Sequence, residues 1–165
     1  MIRGRNMERV EKVMNHQTFK DIMKRIEKAE IDRVFCKHGI SHLLDVARIL
    51  YILVLEEKAD IDKELVYATA LLHDIGRCEQ YEKDVPHSDA GADIAEKILK
   101  DCGFSKTECE LATNAIRVHS DKSGKGDLFA CLLYRADKLS RNCFECGAIA
   151  DCYWPEDLKN YCVKY

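Results

Sequence analysis

Proline is nearly absent from this chain, and that scarcity is the feature that most constrains its fold. Only Pro86 and Pro155 occur in 165 residues, and most segments carry apolar residues three and four positions apart. This spacing places apolar side chains on one face of a helix, whereas a half-buried strand needs strict alternation. The sequence therefore predicts an all-α fold, a bundle of about six to eight helices.

Length and charge limit the classes of function that fit this chain. A chain of 165 residues, 47% apolar and 33% charged, is typical of one globular domain, which we expect over residues 1–165. The formal net charge of −3 provides no global positive field that would attract nucleic acid or an anionic membrane. We therefore expect no nucleic-acid or membrane partner, and a bound phosphate would be held by local groups. A homo-oligomer is compatible with these data.

The first residues and the cysteines favour a cytoplasmic protein. The charged start of the chain precedes no apolar segment of the signal-peptide type. The longest apolar stretch, residues 43–55, contains Asp45 and Arg48 and is too short to span a bilayer. The nine cysteines are odd in number, which favours free thiols in a reducing compartment.

Capping signals predict where several helices begin and end. Ser41 should cap a core helix through Val54, and Asp62 should cap one from Leu65 to about Ile75. Ser88 precedes a helix that should stop near Gly103. The Ser105–Glu108 spacing predicts a capping box for a helix that ends near His119. Asp127 should cap a last helix. We expect one leading helix over residues 8–30, a core over about 34–141, and an irregular cysteine-rich tail over 142–165 that wraps the core.

Metal-capable side chains interrupt an apolar helix at His73 and Asp74. Burying both groups is unfavourable unless they share a cation or a hydrogen-bond partner. Four of the six histidines stand at predicted helix ends, namely His42, His73, His87 and His119. Imidazole combined with carboxylate suits Mn, Fe, Zn, Ni or Co, whereas Mg and Ca prefer oxygen ligands. Core histidines with satisfied hydrogen bonds are the alternative.

Three segments together resemble the H…HD…D signature of the HD-domain metal-dependent phosphohydrolases. They are HLLDVAR at 42–48, LLHDIGR at 71–77 and ADK at 136–138. The resemblance covers roughly residues 34–141 and implies the HD-domain helical bundle. It also implies that the ligands of a first metal are His42, His73, Asp74 and Asp137.

Two further histidines lie where the dinuclear HD proteins, including the bacterial diadenosine tetraphosphate hydrolases, have additional ligands. They are His87 in VPHS and His119 in IRVH. The resemblance thus implies two divalent transition metals, favoured over one, with Asp74 as a ligand of both. If one ion binds, His87 and His119 would contact the substrate phosphate instead.

His38 is a candidate general acid. It lies four residues before His42 in HGISH, which is similar to the HNxxH pattern of cyclic nucleotide phosphodiesterases. The earlier histidine of that pattern protonates the leaving oxygen. Gly39 stands where the pattern has Asn, and a solvent-exposed loop histidine is the alternative.

Positive side chains near these ligands are candidates for binding a substrate phosphate. Arg77 follows the His-Asp pair by three residues, and its guanidinium can bind phosphate through two hydrogen bonds. Lys138 is adjacent to a candidate ligand, and Lys122 lies in a glycine-containing loop where a solvated charge is the alternative. The candidates for orienting the imidazoles are Asp45, Glu79 and Asp89.

The tail carries a second arrangement of possible ligands. Cys143, Cys146, Cys152 and Cys162 follow a C-x2-C-x5-C-x9-C spacing that could hold zinc or an iron–sulfur cluster, although it matches no established pattern. A redox-sensitive thiol pair and ordinary buried thiols are the alternatives.

The sequence favours a metal-dependent phosphohydrolase that cleaves a phosphoester or phosphoanhydride bond in a nucleotide or a related small phosphorylated metabolite. One alternative is a non-catalytic ligand-binding or signalling module with the same fold. The other is a metal- or redox-responsive regulator in which the cysteine tail is the sensor.

Overall fold

The computed structural model describes residues 7–121 and 126–165. Over those residues the chain is all helical, as predicted, with no strand. The described part of the chain contains eight α-helices: α1 (Glu8–Asn15), α2 (Gln17–Ala29), α3 (Ile40–Glu56), α4 (Lys63–Leu72), α5 (Arg77–Lys83), α6 (His87–Asp101), α7 (Lys106–Val118) and α8 (Leu128–Leu139). None of these described helices combines the length and the hydropathy that a membrane crossing requires.

The core forms where α3 packs against α4 and α8 while α6 packs along α7. Leu43, Val46, Leu50 and Leu53 recur every three or four residues along α3, and all four are buried. Each such side chain contributes about 1.5–3 kcal/mol by leaving water. This packing brings the first turn of α3 next to the C-terminal end of α4, where the candidate metal ligands lie.

Side-chain caps fix several helix ends as predicted. Asp62 accepts hydrogen bonds from the amides of Glu64 and Leu65 at the start of α4, and Asp127 accepts one from Ala130 at the start of α8. The Ser105–Glu108 capping box opens α7. Gly103 follows α6 with a φ of 87°, a left-handed conformation that glycine adopts without strain.

The predicted cap at Ser41 is wrong. Helix α3 begins at Ile40, with Gly39 in the N-cap position and no side-chain cap, so Ser41 lies inside the first turn. Similarly, α6 begins at His87, one residue before Ser88, with Pro86 as its N-cap. Proline fixes its own φ and has no amide to satisfy, which suits the start of a helix.

The predicted single leading helix over residues 8–30 is also wrong, because the chain breaks at His16. The φ and ψ of His16 are −62° and 131°, an extended conformation between α1 and α2. Val10 and Phe19 are both buried. In one continuous helix, at about 100° per residue, they would point in opposite directions. The break lets both helices turn their apolar faces to the core.

The tail after α8 contains three short 3-10 turns, at Cys143–Glu145, Ile149–Asp151 and Glu156–Leu158. Asn160 is buried and anchors the tail to the end of α8. Its side-chain amide donates hydrogen bonds to the carbonyls of Lys138 and Arg141, at 2.8 and 2.9 Å. The tail between Arg141 and Asn160 therefore lies over the end of α8 that carries Asp137.

Candidate metal centre

Four side chains from three helices converge beside the first turn of α3. His42 comes from α3, His73 and Asp74 directly follow the last residue of α4, and Asp137 comes from α8. One ligand atom of each lies within 4.8 Å of those of the others. Nε2 of His73 is 3.1 Å from Oδ2 of Asp74, and Nε2 of His42 is 3.4 Å from Oδ1 of Asp137. The structure thus brings together the four residues predicted for a first metal.

A second cluster shares Asp74 with the first. It contains His87, the first residue of α6, and His119, which follows α7. Nε2 of each lies 3.7 Å from Oδ1 of Asp74, while Oδ2 of Asp74 faces the first cluster. The Asp74 carboxylate therefore lies between the two groups.

Backbone carbonyls orient two of the imidazoles. Nδ1 of His73 lies 2.7 Å from the carbonyl of Ala70, and Nδ1 of His119 lies 2.6 Å from that of Ile116. Both carbonyls belong to the last turn of a helix, where they lack an intrahelical partner. Because a carbonyl only accepts, Nδ1 carries the proton in both rings. Nε2 is then the ring atom whose lone pair can bind a cation when it carries no proton.

A hydroxyl orients the third imidazole. The Ser140 hydroxyl donates to the carbonyl of Asp137 at 2.7 Å, so it accepts from Nδ1 of His42 at 3.2 Å. The carboxylates predicted for this role do not perform it. Instead they form ion pairs with Arg48, Lys83 and Arg117, in the pairs Asp45–Arg48, Glu79–Lys83 and Asp89–Arg117.

Three Nε2 atoms in these clusters have no hydrogen-bond partner among the described residues. They belong to His42, His73 and His87, and all three atoms are buried. A buried polar atom without a partner is unfavourable, so each such group calls for an explanation. A divalent cation bound by these lone pairs and the carboxylates would supply the missing partner. The donor set of imidazoles and carboxylates fits such an ion.

The electrostatics of the site show two buried carboxylates that attract positive charge. Burial alone would raise the pKa of Asp74 and of Asp137, but the surrounding imidazoles hold both well below the ordinary value. Burial opposes protonation of His73, yet the two carboxylates raise its pKa to about 10, so without a cation the ring holds a second proton that a metal ion would displace. Burial and the charge of Arg77 lower the pKa of His87 to about 3. His87 is therefore neutral near pH 7, the form that binds a metal.

Two of the predicted phosphate-binding cations lie at the site. Nε of Arg77 is 3.0 Å from Oδ1 of Asp74, and Nζ of Lys138 is 2.6 Å from Oδ2 of Asp137. The third, Lys122, falls outside the described residues. Arg77 and Lys138 also line a cavity of about 190 Å³ with Arg33 and Arg141, hereafter the cationic cavity.

Arg141 is a site residue that the sequence analysis missed. It is buried, and its Nη2 donates to Oδ1 of Asp137 at 3.0 Å. It follows Asp137 by four residues, the spacing that brings side chains together on one helix face. That spacing was the signal available in the sequence. Positive groups thus balance both candidate ligand carboxylates.

His38 is buried, so the alternative of an exposed loop histidine is wrong. Its Nδ1 is paired with the Glu30 carboxylate, which also accepts from the His38 amide and the Tyr81 hydroxyl. Burial would raise the pKa of Glu30, but these donors lower it to about 2. Burial also lowers the pKa of His38, against the opposing effect of Glu30. Nε2 of His38 is 3.8 Å from Oδ2 of Asp74, and the residue lines the cationic cavity.

The tail cysteines form no metal-compatible group within residues 7–121 and 126–165, where such groups consist of histidine and aspartate. Their thiols are free. Cys143 is buried, Cys146 and Cys152 are partly buried, and Cys162 is exposed. Three of the four line a second cavity beside the candidate metal centre.

Comparison with known proteins agrees with this geometry. The HD domain family model matches residues 39–142. An uncharacterized protein from Clostridium beijerinckii is 42% identical over 159 residues, which cover 96% of this chain and all of that protein. The crystal structure of a protein from an uncultured Thermotogales bacterium, described as a predicted HD superfamily hydrolase, matches with a TM-score of 0.58 and 27% identity. That match covers 85% of this chain and 80% of the other.

Ribonuclease Y from Acetivibrio thermocellus is 28% identical over 125 residues. That match covers 76% of this chain but 22% of ribonuclease Y, so the chain spans about a fifth of that relative.

The fold and the site define an all-helical protein with histidine and aspartate clusters that could hold a divalent metal. The chain belongs to the HD domain family. The family match and the similarity to an HD superfamily hydrolase support a hydrolase role.

Proposed function

We propose that this protein is a metal-dependent phosphohydrolase that cleaves a phosphoester or phosphoanhydride bond in a nucleotide or a related small phosphorylated metabolite. The observation that carries the proposal is the convergence of buried, unpartnered imidazole nitrogens on two carboxylates beside a cavity lined by four cations. The imidazoles and carboxylates suit metal ions, and the cations suit phosphate oxygens.

Two divalent transition metals, drawn from Mn, Fe, Ni, Co and Zn, fit the two clusters. His42, His73, Asp74 and Asp137 would hold the first, and Asp74, His87 and His119 the second. When bound, such ions supply Lewis acidity, which lowers the pKa of a water molecule and offsets negative charge on phosphoryl oxygens. The hydrogen bonds to Nδ1 keep the rings of His42, His73 and His119 aligned for this role.

Arg77 would orient the phosphate. We expect Arg77→Gln to lower kcat/KM by about 10- to 100-fold, since a hydrogen bond to a charged group contributes about 1.5–3 kcal/mol. The measurement is steady-state phosphate release with the metal at saturation. Arg48→Gln removes a surface arginine paired with Asp45 and is the matched control, expected to leave kcat/KM unchanged. A change of less than twofold in Arg77→Gln would contradict a phosphate role.

His38 would donate a proton to the leaving oxygen from its doubly protonated form, and Glu30 would act as a positioning residue whose carboxylate pairs with Nδ1 and favours that form against the effect of burial. We expect His38→Gln to slow hydrolysis of a nucleotide by about 100-fold or more. The loss should be far smaller for p-nitrophenyl phosphate, because p-nitrophenolate leaves without protonation. The measurement is the ratio of kcat values for the two substrates.

The control for His38→Gln is His16→Gln, at the α1–α2 junction, which should leave both rates unchanged. Glu30→Gln should also slow hydrolysis of the nucleotide more than that of p-nitrophenyl phosphate. Both losses should be smaller than those in His38→Gln. An equal loss for both substrates in His38→Gln would show that His38 does not protonate the leaving group.

A hydrolysis panel tests the proposed function, with inorganic phosphate measured for monoesters and anhydrides and the nucleotide products separated by chromatography for diesters. Nucleoside mono-, di- and triphosphates, a cyclic nucleotide and a short single-stranded RNA would be incubated with the protein, with and without manganese. We expect metal-dependent turnover of at least one small nucleotide. The similarity to ribonuclease Y makes RNA the informative comparison, because efficient cleavage of RNA with no turnover of any small nucleotide would contradict a small-molecule substrate.

A further inference from the structure

A second cavity adjoins the candidate metal centre and differs from the cationic cavity in character. It has a volume of about 270 Å³ and lies between the segment 34–37 and the tail residues Cys143, Cys146, Ile149, Cys152 and Trp154, hereafter the tail cavity. His42 and Arg141 are also among its lining residues. A candidate metal ligand therefore forms part of the wall of the tail cavity.

The two cavities share a boundary. Phe35, Cys36, Arg141, Cys152 and Trp154 line both. Nζ of Lys138 lies 5.1 Å from the centre of the Trp154 ring, and the Arg141 guanidinium lies 6.0 Å from it. These cation–π contacts hold the indole next to the cations of the site. One molecule could therefore place an anionic group in the cationic cavity and a second group in the tail cavity.

Arg141 supplies an independent sign of a ligand at this boundary. Its side chain is 6% exposed, and its buried Nε has no hydrogen-bond partner among the described residues. Nη2 contacts Asp137 and so helps to fix the guanidinium in place, while the buried Nε–H donor is unused. A buried donor in a charged group is expected to have a partner. An oxygen of a bound phosphate would provide one.

The walls of the tail cavity suit a heteroaromatic ring better than an alkyl chain. Phe35, Trp154 and the thiols offer apolar, polarisable surface for the face of a ring. Asp45 and Asn142 also line the cavity and offer hydrogen-bond groups for the polar edge of a ring, which an alkyl chain would leave unsatisfied. The volume is below the roughly 300–1,000 Å³ typical of sites for drug-sized ligands, so it suits one ring system.

We propose that the tail cavity binds the base of a mononucleotide whose phosphate lies in the cationic cavity. The C-terminal tail then determines which substrates this protein accepts, with Ile149, Asn142 and Trp154 as specificity residues. The inference rests on the proposed function and deepens it, because it assigns the substrate class to the same site.

Trp154 is the single tryptophan of the chain, so its fluorescence reports on this cavity. Adenosine 5′-monophosphate, adenosine and ribose 5-phosphate would each be titrated into the protein. We expect the first two to change the emission in a saturable manner. Ribose 5-phosphate, which lacks the base, should bind at least about tenfold more weakly than adenosine 5′-monophosphate. Equal affinity for these two phosphates would overturn the inference.

Substitutions at the cavity wall make the test specific to this site. Ile149→Phe fills the cavity from a partly exposed position and should weaken adenosine 5′-monophosphate binding by at least about tenfold, with ribose 5-phosphate affected by less than about twofold. Asn142→Ala, at an exposed position, should weaken it by about threefold. Phe144→Ala changes a tail aromatic residue outside the cavity lining and is the control. Unchanged nucleotide affinity in both cavity variants would overturn the inference.

The fluorescence readout separates this inference from the proposed function, because binding needs no turnover. If adenosine 5′-monophosphate binds as expected but no substrate is hydrolysed, the base site stands and the proposed hydrolase activity fails. If phosphoesters are hydrolysed at rates that do not depend on the presence of a base, the hydrolase activity stands and the base site is overturned.

Discussion

Asp74→Asn is expected to abolish metal-dependent hydrolysis, with a fall in kcat of at least about 1,000-fold, or about 4 kcal/mol in the activation free energy. The two oxygens of Asp74 face different clusters, since Oδ2 is 3.1 Å from His73 and Oδ1 is 3.7 Å from both His87 and His119. Asparagine keeps the shape but removes the negative charge that both clusters share, and it replaces one of the two oxygens by an amide NH2, so one cluster loses its oxygen ligand from residue 74. The measurement is kcat together with metal content per chain.

The matched control for Asp74→Asn is Asp101→Asn, which removes an exposed carboxylate paired with His16. It should retain full activity and full metal content. Circular dichroism of both variants separates a loss of metal from a loss of fold. An Asp74→Asn protein that keeps its metals and more than about a tenth of its activity would contradict the shared role of this carboxylate.

Gly76→Ala is expected to destabilise the protein by about 3 kcal/mol or more. A Cβ at this position would lie 2.0 Å from the carbonyl oxygen of His87 and 2.5 Å from the amide nitrogen of Gly91. Both are backbone atoms of α6, so the helix would have to shift rather than a side chain rotate. Because His87 begins that helix, the second cluster should also lose metal. Urea denaturation and metal content per chain measure the two effects.

Two other glycines provide a graded control for Gly76→Ala. A Cβ at Gly91 would lie 3.3 Å from the amide nitrogen of Gly76, so Gly91→Ala should be milder. Gly147 has open space around it, and Gly147→Ala should leave the stability nearly unchanged. An unfolding midpoint for Gly76→Ala equal to that of Gly147→Ala would show that α6 does not need this close approach.

Most of the fold could be predicted because apolar spacing and side-chain caps involve residues of a single helix, which lie close together in the sequence. Asp62, Ser105 and Asp127 each bond to amides two or three residues further on, so their caps are visible in the sequence. The break at His16 was not predicted, because no proline or glycine marks it. The break arises because the apolar faces of α1 and α2 would point in opposite directions in one continuous helix, whereas both pack against the same core.

The candidate metal ligands were also predictable from residues that are close in the sequence. His73 and Asp74 are adjacent polar residues directly after the apolar helix α4, and their motif context pointed to the other ligands. The groups around them were harder to find. Ser140 and Glu30 act through contacts with His42 and His38. Glu30 lies at the end of α2 and reaches His38 across a non-helical segment, where no periodicity links the two positions.

The central claim is that two metal ions bind at clusters that share Asp74. The most direct test is elemental mass spectrometry on untagged protein after exposure to manganese and removal of the excess, in wild type and in His87→Ala. We predict about two ions per chain in the wild type and about one in the variant, since His87 belongs to one cluster alone. No bound metal in either protein under any supplementation would contradict the account.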